Sequence, residues 1–200
     1  MSTDPTDCAD PLSAAMDLFW ERGFVATSLS DLLHRMKVSR KRIYSTYGSK
    51  EALFQAVLKA YVESQAKPRM ACLEGDKKGL EAIESYLGSW KFGPHFRGCL
   101  LWNSAAESEN LTPESMAIVQ EHFSHLETAL CENFSVAKSK GAIESTASDH
   151  ELAHQLLSTV MGLSVMGKLV QDPASSENTV RLTLSCMGAK LDRTRAATAC

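Results

Sequence analysis

The 200-residue sequence predicts an all-α protein with a three-helix helix-turn-helix domain at its N-terminus and a longer helical domain after it. Helix-capping residues are dense along the chain, whereas the Val/Ile alternation that marks strands is absent. With 44% hydrophobic and 22% charged residues, the composition is that of a globular protein with enough chain for a core. We place the first domain at residues 8–55 and the second, for regulation and dimerisation, at 56–195.

The N-terminal helices are predicted from their caps. Each of the first four begins at a capping residue: Asp10 before Pro11, Ser28 with Asp31, Ser39, and Ser49. Gly23 and Gly48 end the first and third of these helices.

The remaining helices are predicted to be longer. They follow a breaker region at 67–76. The first is predicted from Gly79 to Lys91, and a short helix follows Arg97-Gly98. Later helices start at Thr112-Pro113, at Ser148 with Glu151 (a helix ended by Pro173), and at Ser175.

Charge is unevenly distributed, although the net charge is only −3. Residues 34–50 contain no acid, whereas residues 66–200 carry the acidic excess, so a basic module joined to an acidic or neutral one is predicted. The polar start and the lack of a long apolar run predict a cytoplasmic protein without a membrane partner. Its six scattered cysteines are expected to remain thiols.

The segment around residues 28–50 predicts DNA binding. Two short helices joined by the turn at 36–39 match a helix-turn-helix, and Val38, Ile43 and Tyr47 fall on one face of the second helix. Its outward face then offers cations, hydroxyls and a phenol to a major groove. Lys50 and the helix amides following Ser28 are placed to meet phosphates. The predicted DNA-binding residues are Ser28, Ser39, Arg40, Lys41, Arg42, Tyr44, Ser45, Thr46 and Lys50.

Residues 14–58 resemble the N-terminal domain of the TetR (tetracycline-repressor) family. The matching runs are F-x-x-R-G-F-x-x-T-S at 19–28, V-S-x-x-x-x-Y at 38–44 and G-S-K-E-A-L-F at 48–54. The turn departs from the pattern, because Lys37 stands where glycine is usual. The resemblance implies DNA contact by the residues above except Arg42, a homodimer on a palindromic operator, and a C-terminal ligand pocket that controls the spacing of the recognition helices. We therefore expect a repressor of transcription rather than an enzyme.

Two stretches of the C-terminal half carry further signals. Residues 160–163 and the final two helices resemble the pair that forms the family's dimer interface, where Gly162, Ser164 and Gly167 would allow close helix approach. The run R-G-C-L-x-x-N at 97–103 resembles a branch in which some members sense electrophiles or oxidants through cysteine. Cys99 follows Gly98 at a helix start beside Arg97, which favours a thiolate; the alternative is an inert, packed thiol.

A small-molecule pocket is predicted near this cysteine. Aromatic residues surround the segment 97–103, and apolar walls with a few polar groups suit a small ligand; the same residues could equally be plain core. The predicted ligand-binding or sensing residues are Cys99, Trp102, Asn103, Glu107, Phe123 and Met161. The inducer is then a small molecule or an electrophile, and no cofactor is expected.

One motif competes with this interpretation. His150-Glu151-Leu152-Ala153-His154 reads H-E-x-x-H, and its histidines, four residues apart, share a helix face as in zinc hydrolases. Against a zinc hydrolase, Ser148 and Glu151 already form a capping pattern, and no third ligand follows on the same helix. His122 and His125 are a weaker alternative for a metal-sensing pair. No metal site is predicted.

Overall fold

The structure is a computed structural model that describes residues 10–170 and 172–191, and it is helical throughout this part of the chain. The α-helices are α1 Pro11–Arg22, α2 Leu29–Met36, α3 Arg40–Tyr47, α4 Lys50–Tyr61, α5 Lys67–Glu74, α6 Leu80–Gly88, α7 Leu100–Ala105, α8 Pro113–Ser139, α9 Asp149–Leu169 and α10 Pro173–Cys186. A π-helical turn spans Val62–Ala66, and a 3-10 turn spans Ser108–Asn110. The predicted all-α class is confirmed.

The predicted caps at Ser28, Ser39, Ser49 and Ser148 form as hydrogen-bonded motifs, whereas the Asp10 side chain makes no cap hydrogen bond at the start of α1. The Ser28 hydroxyl accepts from the Asp31 N–H at 3.1 Å, while the Asp31 carboxylate accepts from the Ser28 N–H at 3.0 Å. Ser148 and Glu151 make the same reciprocal pair at the start of α9. Single caps begin α3 and α4, where the hydroxyls of Ser39 and Ser49 accept backbone N–H bonds. Because each cap satisfies N–H groups that the helix leaves open, these starts depend on local sequence alone.

Three predicted boundaries are wrong. The expected breaker at 67–76 holds helix α5, which continues directly from the π-helical turn at Val62–Ala66, so Pro68 does not interrupt the helical chain. Helix α6 ends at Gly88, short of Lys91. The last helix begins at Pro173, with the Asp172 carboxylate as its cap, so Ser175 lies inside it.

The described chain forms two compact units. Among the described residues, the N-terminal unit comprises 10–66 and Arg97–His122, and the C-terminal unit comprises Lys67–Phe96, 123–170 and 172–191. Residues 97–122 thus join the unit that holds the helix-turn-helix, although the sequence grouped them with the regulatory domain. The boundary at residues 55/56 stays a prediction about the domains.

An aromatic cluster fills the centre of the N-terminal unit. The ring of Phe19 meets that of Phe54 edge to face at 4.8 Å, and Phe24 lies 5.0 Å from Phe54. Leu32 of α2 and Ile43 of α3 are almost fully buried. This core fixes α2 and α3 through one side of each helix and leaves the other side of α3 to solvent.

A buried amide organises part of the C-terminal unit. The Asn133 side chain donates to the carbonyls of Leu73 at 2.9 Å and Ala129 at 2.7 Å, and it accepts from the Gly79 N–H at 2.9 Å. These bonds tie the end of α5 and the start of α6 to α8. Among the described residues, no helix is long and apolar enough to cross a membrane.

Candidate nucleic-acid interface

Helix α3 presents the polar face that the sequence predicts. Ile43 is buried and Tyr47 half-buried, whereas Tyr44 is 49% exposed. The other exposed side chains of the helix are those of Arg40, Lys41, Arg42, Ser45 and Thr46. The face therefore combines cations, hydroxyls and a phenol on a short helix. A major groove is wide enough to admit such a helix.

The cations of α3 differ from those of the neighbouring helices in their partners. Arg35 on α2 is paired with Glu21 at 2.8 Å, and Arg22 on α1 lies 3.4 Å from Asp31. The side chains of Arg40, Lys41 and Arg42 form no ion pair with any described residue; we call these three the α3 cations. Carboxylates thus neutralise the surrounding arginines and leave positive charge concentrated on α3.

The turn before α3 has a left-handed backbone conformation at Lys37, which is unfavourable for a residue other than glycine. Lys37 has φ 53° and ψ 40°, the left-handed region in which glycine is preferred. Ser39 then starts α3 by accepting from the Arg42 N–H at 3.2 Å. Lys37 therefore adopts the positive φ for which glycine is usual at this position.

Lys50 does more than the sequence indicates. Its ammonium donates to the Phe24 carbonyl at 2.7 Å and lies 4.2 Å above the centre of the Phe24 ring. Burial lowers the pKa of Lys50 below its ordinary value, and the charges of Glu51 and Glu107 oppose this shift. In this structure Lys50 therefore holds the corner between α1 and α2, and a phosphate contact by its ammonium stays a prediction.

Glu107 holds the same corner from the opposite side. Its carboxylate accepts from the Phe24 N–H at 2.7 Å and from the Val25 N–H at 3.4 Å. A side chain on Gly23, which has φ 81° and ψ 174°, would overlap the Glu107 carboxylate. Both polar groups of the Phe24 backbone are thus held by side chains, and Ser28, where α2 starts, lies four residues further on. We call this arrangement the Glu107 clamp.

Two more contacts attach residues 97–107 to α1. Arg97 pairs with Asp17 at 2.8 Å and stacks on Trp20, with 4.1 Å between its guanidinium carbon and the ring centre. The Trp20 indole N–H donates to the Gly98 carbonyl at 3.1 Å. Contacts at Asp17, Trp20 and Phe24 span the last two turns of α1, so the segment is fixed along that helix.

Comparison with known proteins identifies the family. A family model described as "Bacterial regulatory proteins, tetR family" matches residues 12–57, and one described as "Tetracyclin repressor-like, C-terminal domain" matches residues 79–183. The chain belongs to the TetR family. It is therefore a DNA-binding transcriptional regulator, as the sequence predicts.

Relatives of this TetR-family chain match over nearly their full length. The HTH-type transcriptional regulator YezE of Bacillus subtilis is 28% identical over 186 residues, covering 90% of this chain and 96% of YezE. The HTH-type transcriptional repressor ComR of Escherichia coli is 27% identical, with 84% and 89% covered. A cysteine mutant of the TetR-family regulator CifR, solved with 26-bp double-strand operator DNA, has a TM-score of 0.71 at 25% identity and covers 94% of this chain and 98% of that one.

Cys99 of this TetR-family member is a packed thiol in the structure. It is 3% exposed, and the Tyr61 hydroxyl lies 3.5 Å from its sulfur. The Arg97 guanidinium, which the sequence placed beside the thiol, is instead bound to Asp17 and Trp20. The geometry therefore favours the inert alternative over a reactive thiolate.

The other predicted ligand-binding residues are divided between the two units. Trp102 is buried and Asn103 donates to the Arg97 carbonyl at 3.2 Å, both within the N-terminal unit. Glu107, expected as a polar group of the pocket, is the clamp on Phe24. Phe123 and Met161 belong to the C-terminal unit. A common pocket of these residues stays a prediction.

Helices α9 and α10 expose an apolar face. Leu169 is 75% exposed, and Val165 and Met166 are more than half exposed, as is Leu182 on α10. Gly162 belongs to this face, and a Cβ there would meet nothing within 4 Å. We call these five residues the α9/α10 face.

The small residues expected at the dimer interface do not all reach this face. A Cβ on Gly167 would lie 2.8 Å from the Phe96 ring, so Gly167 packs inside its own unit. Ser164 is also buried. Only Gly162 of the three is open to a partner helix.

The H-E-x-x-H motif has local roles. Glu151 accepts from the Ser148 hydroxyl and N–H, both at 2.7 Å, so its carboxylate serves the cap. His150 and His154 both face Glu127, at 3.3 Å and 3.6 Å. His125 faces Glu74 at 2.9 Å. Among the described residues, no group of three histidine, cysteine or acidic side chains is arranged to hold a metal ion.

Proposed function

We propose that this TetR-family regulator is a cytoplasmic repressor that reads its operator through the α3 face. The observation that carries the proposal is the concentration of charge on that helix. The arginines of α1 and α2 are neutralised by carboxylates, whereas the α3 cations form no ion pair with a residue that the structure describes. Cations held on a rigid helix can neutralise phosphates or bind guanine edges, and Tyr44, Ser45 and Thr46 add hydrogen-bonding groups to the same face.

We propose that the α9/α10 face joins two subunits, so that two α3 helices meet successive major grooves. An exposed apolar surface is costly in water, and a two-fold axis would bury it against its own copy. Gly162 supports this arrangement because its bare backbone leaves room for a partner helix. A homodimer predicts an operator made of two inverted half-sites.

The test is the salt dependence of DNA binding. Fluorescence anisotropy with DNA from upstream of the chain's own gene gives log K against log salt. If all three α3 cations of both subunits contact phosphates, the slope is about −5, at roughly −0.9 for each phosphate. Arg40→Gln should make the slope shallower by about 2, since each dimer loses two contacts.

The matched control is Arg35→Gln. Arg35 is an exposed arginine one helix away and is already paired with Glu21. Its replacement should leave the slope unchanged. Equal effects of the two substitutions would show that general charge, rather than the α3 face, drives binding.

We also propose that the inducer is a reversibly bound small molecule rather than a thiol reagent. The burial of Cys99 beneath Tyr61 supports this choice, because an electrophile needs an accessible thiolate. Binding of the inducer then lowers the affinity for DNA through its preference for the DNA-free state.

A further inference from the structure

A cleft in the C-terminal unit is lined by none of the residues that the sequence assigns to ligand binding. Its cavity of about 550 Å³ lies between the end of α6, the loop that follows and one face of α10. This size falls within the range of small-molecule sites, roughly 300–1,000 Å³. We call it the α6/α10 cleft.

The wall of the cleft is mainly apolar and aromatic. Leu87, Trp90 and Phe92 line one side, and Val180 and Leu184 line the other. One face of the Trp90 ring is already covered by the Arg69 guanidinium, 4.2 Å from the ring centre, which fixes the indole in place. The walls thus suit a flat apolar body.

Gly88 keeps the cleft open. It lines the cavity, and a Cβ built on it would meet nothing within 4 Å. A side chain there would therefore project from the cleft wall into open space. Because Gly88 does not have a positive φ, a larger residue can be placed there without backbone strain.

Four charged side chains also line the cleft, two of each sign. They are Glu84 and Lys91 on the α6 side and Glu177 and Arg181 on α10. None of the four makes an ion pair with a described residue: Lys91 donates to the Gly88 carbonyl at 3.3 Å, and Arg181 approaches Asn178 at 3.5 Å. Opposite charges thus share one cavity without meeting.

The loop after α6 lies close to the start of α10. A Cβ on Gly93 would lie 3.7 Å from the Pro173 ring. Each side of the cleft carries one cation and one carboxylate: Lys91 and Glu84 on the α6 side, and Arg181 and Glu177 on α10.

We propose that the α6/α10 cleft binds the inducer, and that the inducer is an aromatic molecule carrying both a cationic and an anionic group. The aromatic walls take the ring, while charged groups of both signs at the rim bind a ligand that is itself amphoteric. A ligand with a single charge would leave one sign of rim charge without a partner. The inference rests on the proposed function for its regulatory meaning, whereas the binding site is testable without DNA.

Three dyes with one ring system test the proposal on the full-length protein. Nε-dansyl-lysine carries both charges, dansylglycine only the anion and dansylcadaverine only the cation. We expect one site for Nε-dansyl-lysine per protomer, measured by energy transfer from tryptophan. It should bind about fivefold tighter than either single-charge dye, the size of effect expected for an exposed ion pair.

Variants locate the site. Gly88→Leu fills the cleft and should weaken Nε-dansyl-lysine at least about tenfold, in line with steric exclusion from a packed site. Arg181→Gln should remove the advantage over dansylcadaverine, and Glu84→Gln should reduce the advantage over dansylglycine. Gly162→Ala on the α9/α10 face is the matched control and should bind the dye as the wild type does.

Equal affinity for the three dyes, or undiminished binding by folded Gly88→Leu, would overturn the proposal. If Gly88→Leu fails to fold, the two glutamine variants decide, since Glu84→Gln keeps the shape of the side chain and Arg181→Gln only shortens an exposed one. Operator binding is measured separately. Its absence would refute the proposed function but would not affect the conclusion that the cleft binds such a ligand. Dye binding that does not release DNA would refute the cleft as the inducer site.

Discussion

The Glu107 clamp yields the sharpest prediction, because it joins two residues 83 positions apart through one hydrogen bond. Glu107→Ala removes the acceptor of the Phe24 N–H, and Phe24 is a buried residue. An unsatisfied backbone donor costs about 1–3 kcal/mol in the free energy of unfolding. We expect a value toward the lower end, since Glu107 is only half-buried and water can reach part of the site.

Gly23→Ala perturbs the same site in a second way. Gly23 has φ 81° and ψ 174°, a region that is almost restricted to glycine and costs other residues about 1–3 kcal/mol. The new Cβ would also displace the Glu107 carboxylate. In the wild type the substitution therefore costs both backbone strain and the hydrogen bond, whereas in Glu107→Ala it costs the strain alone.

A double-mutant cycle separates these terms. The double variant should be more stable than the sum of the single effects predicts, by about the 1–3 kcal/mol of the shared hydrogen bond. The assay is urea denaturation at one fixed protein concentration, because subunit association adds to the apparent stability. Gly141→Ala is the control: it has φ 66° and open space around a Cβ, so its cost should be independent of Glu107.

Additivity of Gly23→Ala and Glu107→Ala within about 0.5 kcal/mol would refute the clamp. The same variants should weaken operator binding, because the clamp holds the chain four residues before Ser28. Full DNA affinity in a destabilised Glu107→Ala would show that the clamp stabilises the fold without positioning α2.

Three further outcomes are expected. Gly162→Leu should turn the dimer into a folded monomer, since a Cβ there meets nothing in its own subunit; equilibrium sedimentation showing an unchanged dimer would place the interface elsewhere. Iodoacetamide should label exposed Cys186 well before buried Cys99. Cys72 and Cys131 should also react slowly, because burial raises the pKa of both thiols. If mass spectrometry finds Cys99 labelled first, the thiol-sensor hypothesis is restored. Hydrogen bonds from Ser148 lower the pKa of Glu151 below its ordinary value of 4.5, so this stabilisation is present above that pH and is lost as acid protonates the folded carboxyl. Glu151→Gln should therefore show a smaller fall in melting temperature between pH 6 and pH 3 than the wild type, and equal falls would contradict the assignment.

The sequence alone was enough to predict the serine-capped starts of α2, α3, α4 and α9, the helix-turn-helix and the exposed face of α3. Each of these depends on residues within one or two turns: a serine and the amide three positions on, or a period of 3.6 that places Ile43 inward and Tyr44 outward. The wrong boundaries arise because these signals come only from residues close together in the sequence. Pro68 looks like a breaker in the sequence, yet it lies just after a π-helical turn that leads directly into α5.

Only the tertiary structure decided which distant side chains meet. Glu107 and Phe24, Arg97 and Asp17, and the two walls of the α6/α10 cleft are separated by about 80 residues or more along the chain. Gly162 and Gly167 look alike in the sequence, yet one faces solvent and the other lies under Phe96. The physical reason is that caps and periodicity act through neighbouring backbone groups. The Glu107 clamp and the α6/α10 cleft, by contrast, exist only when the core has fixed the direction of every helix that contributes to them.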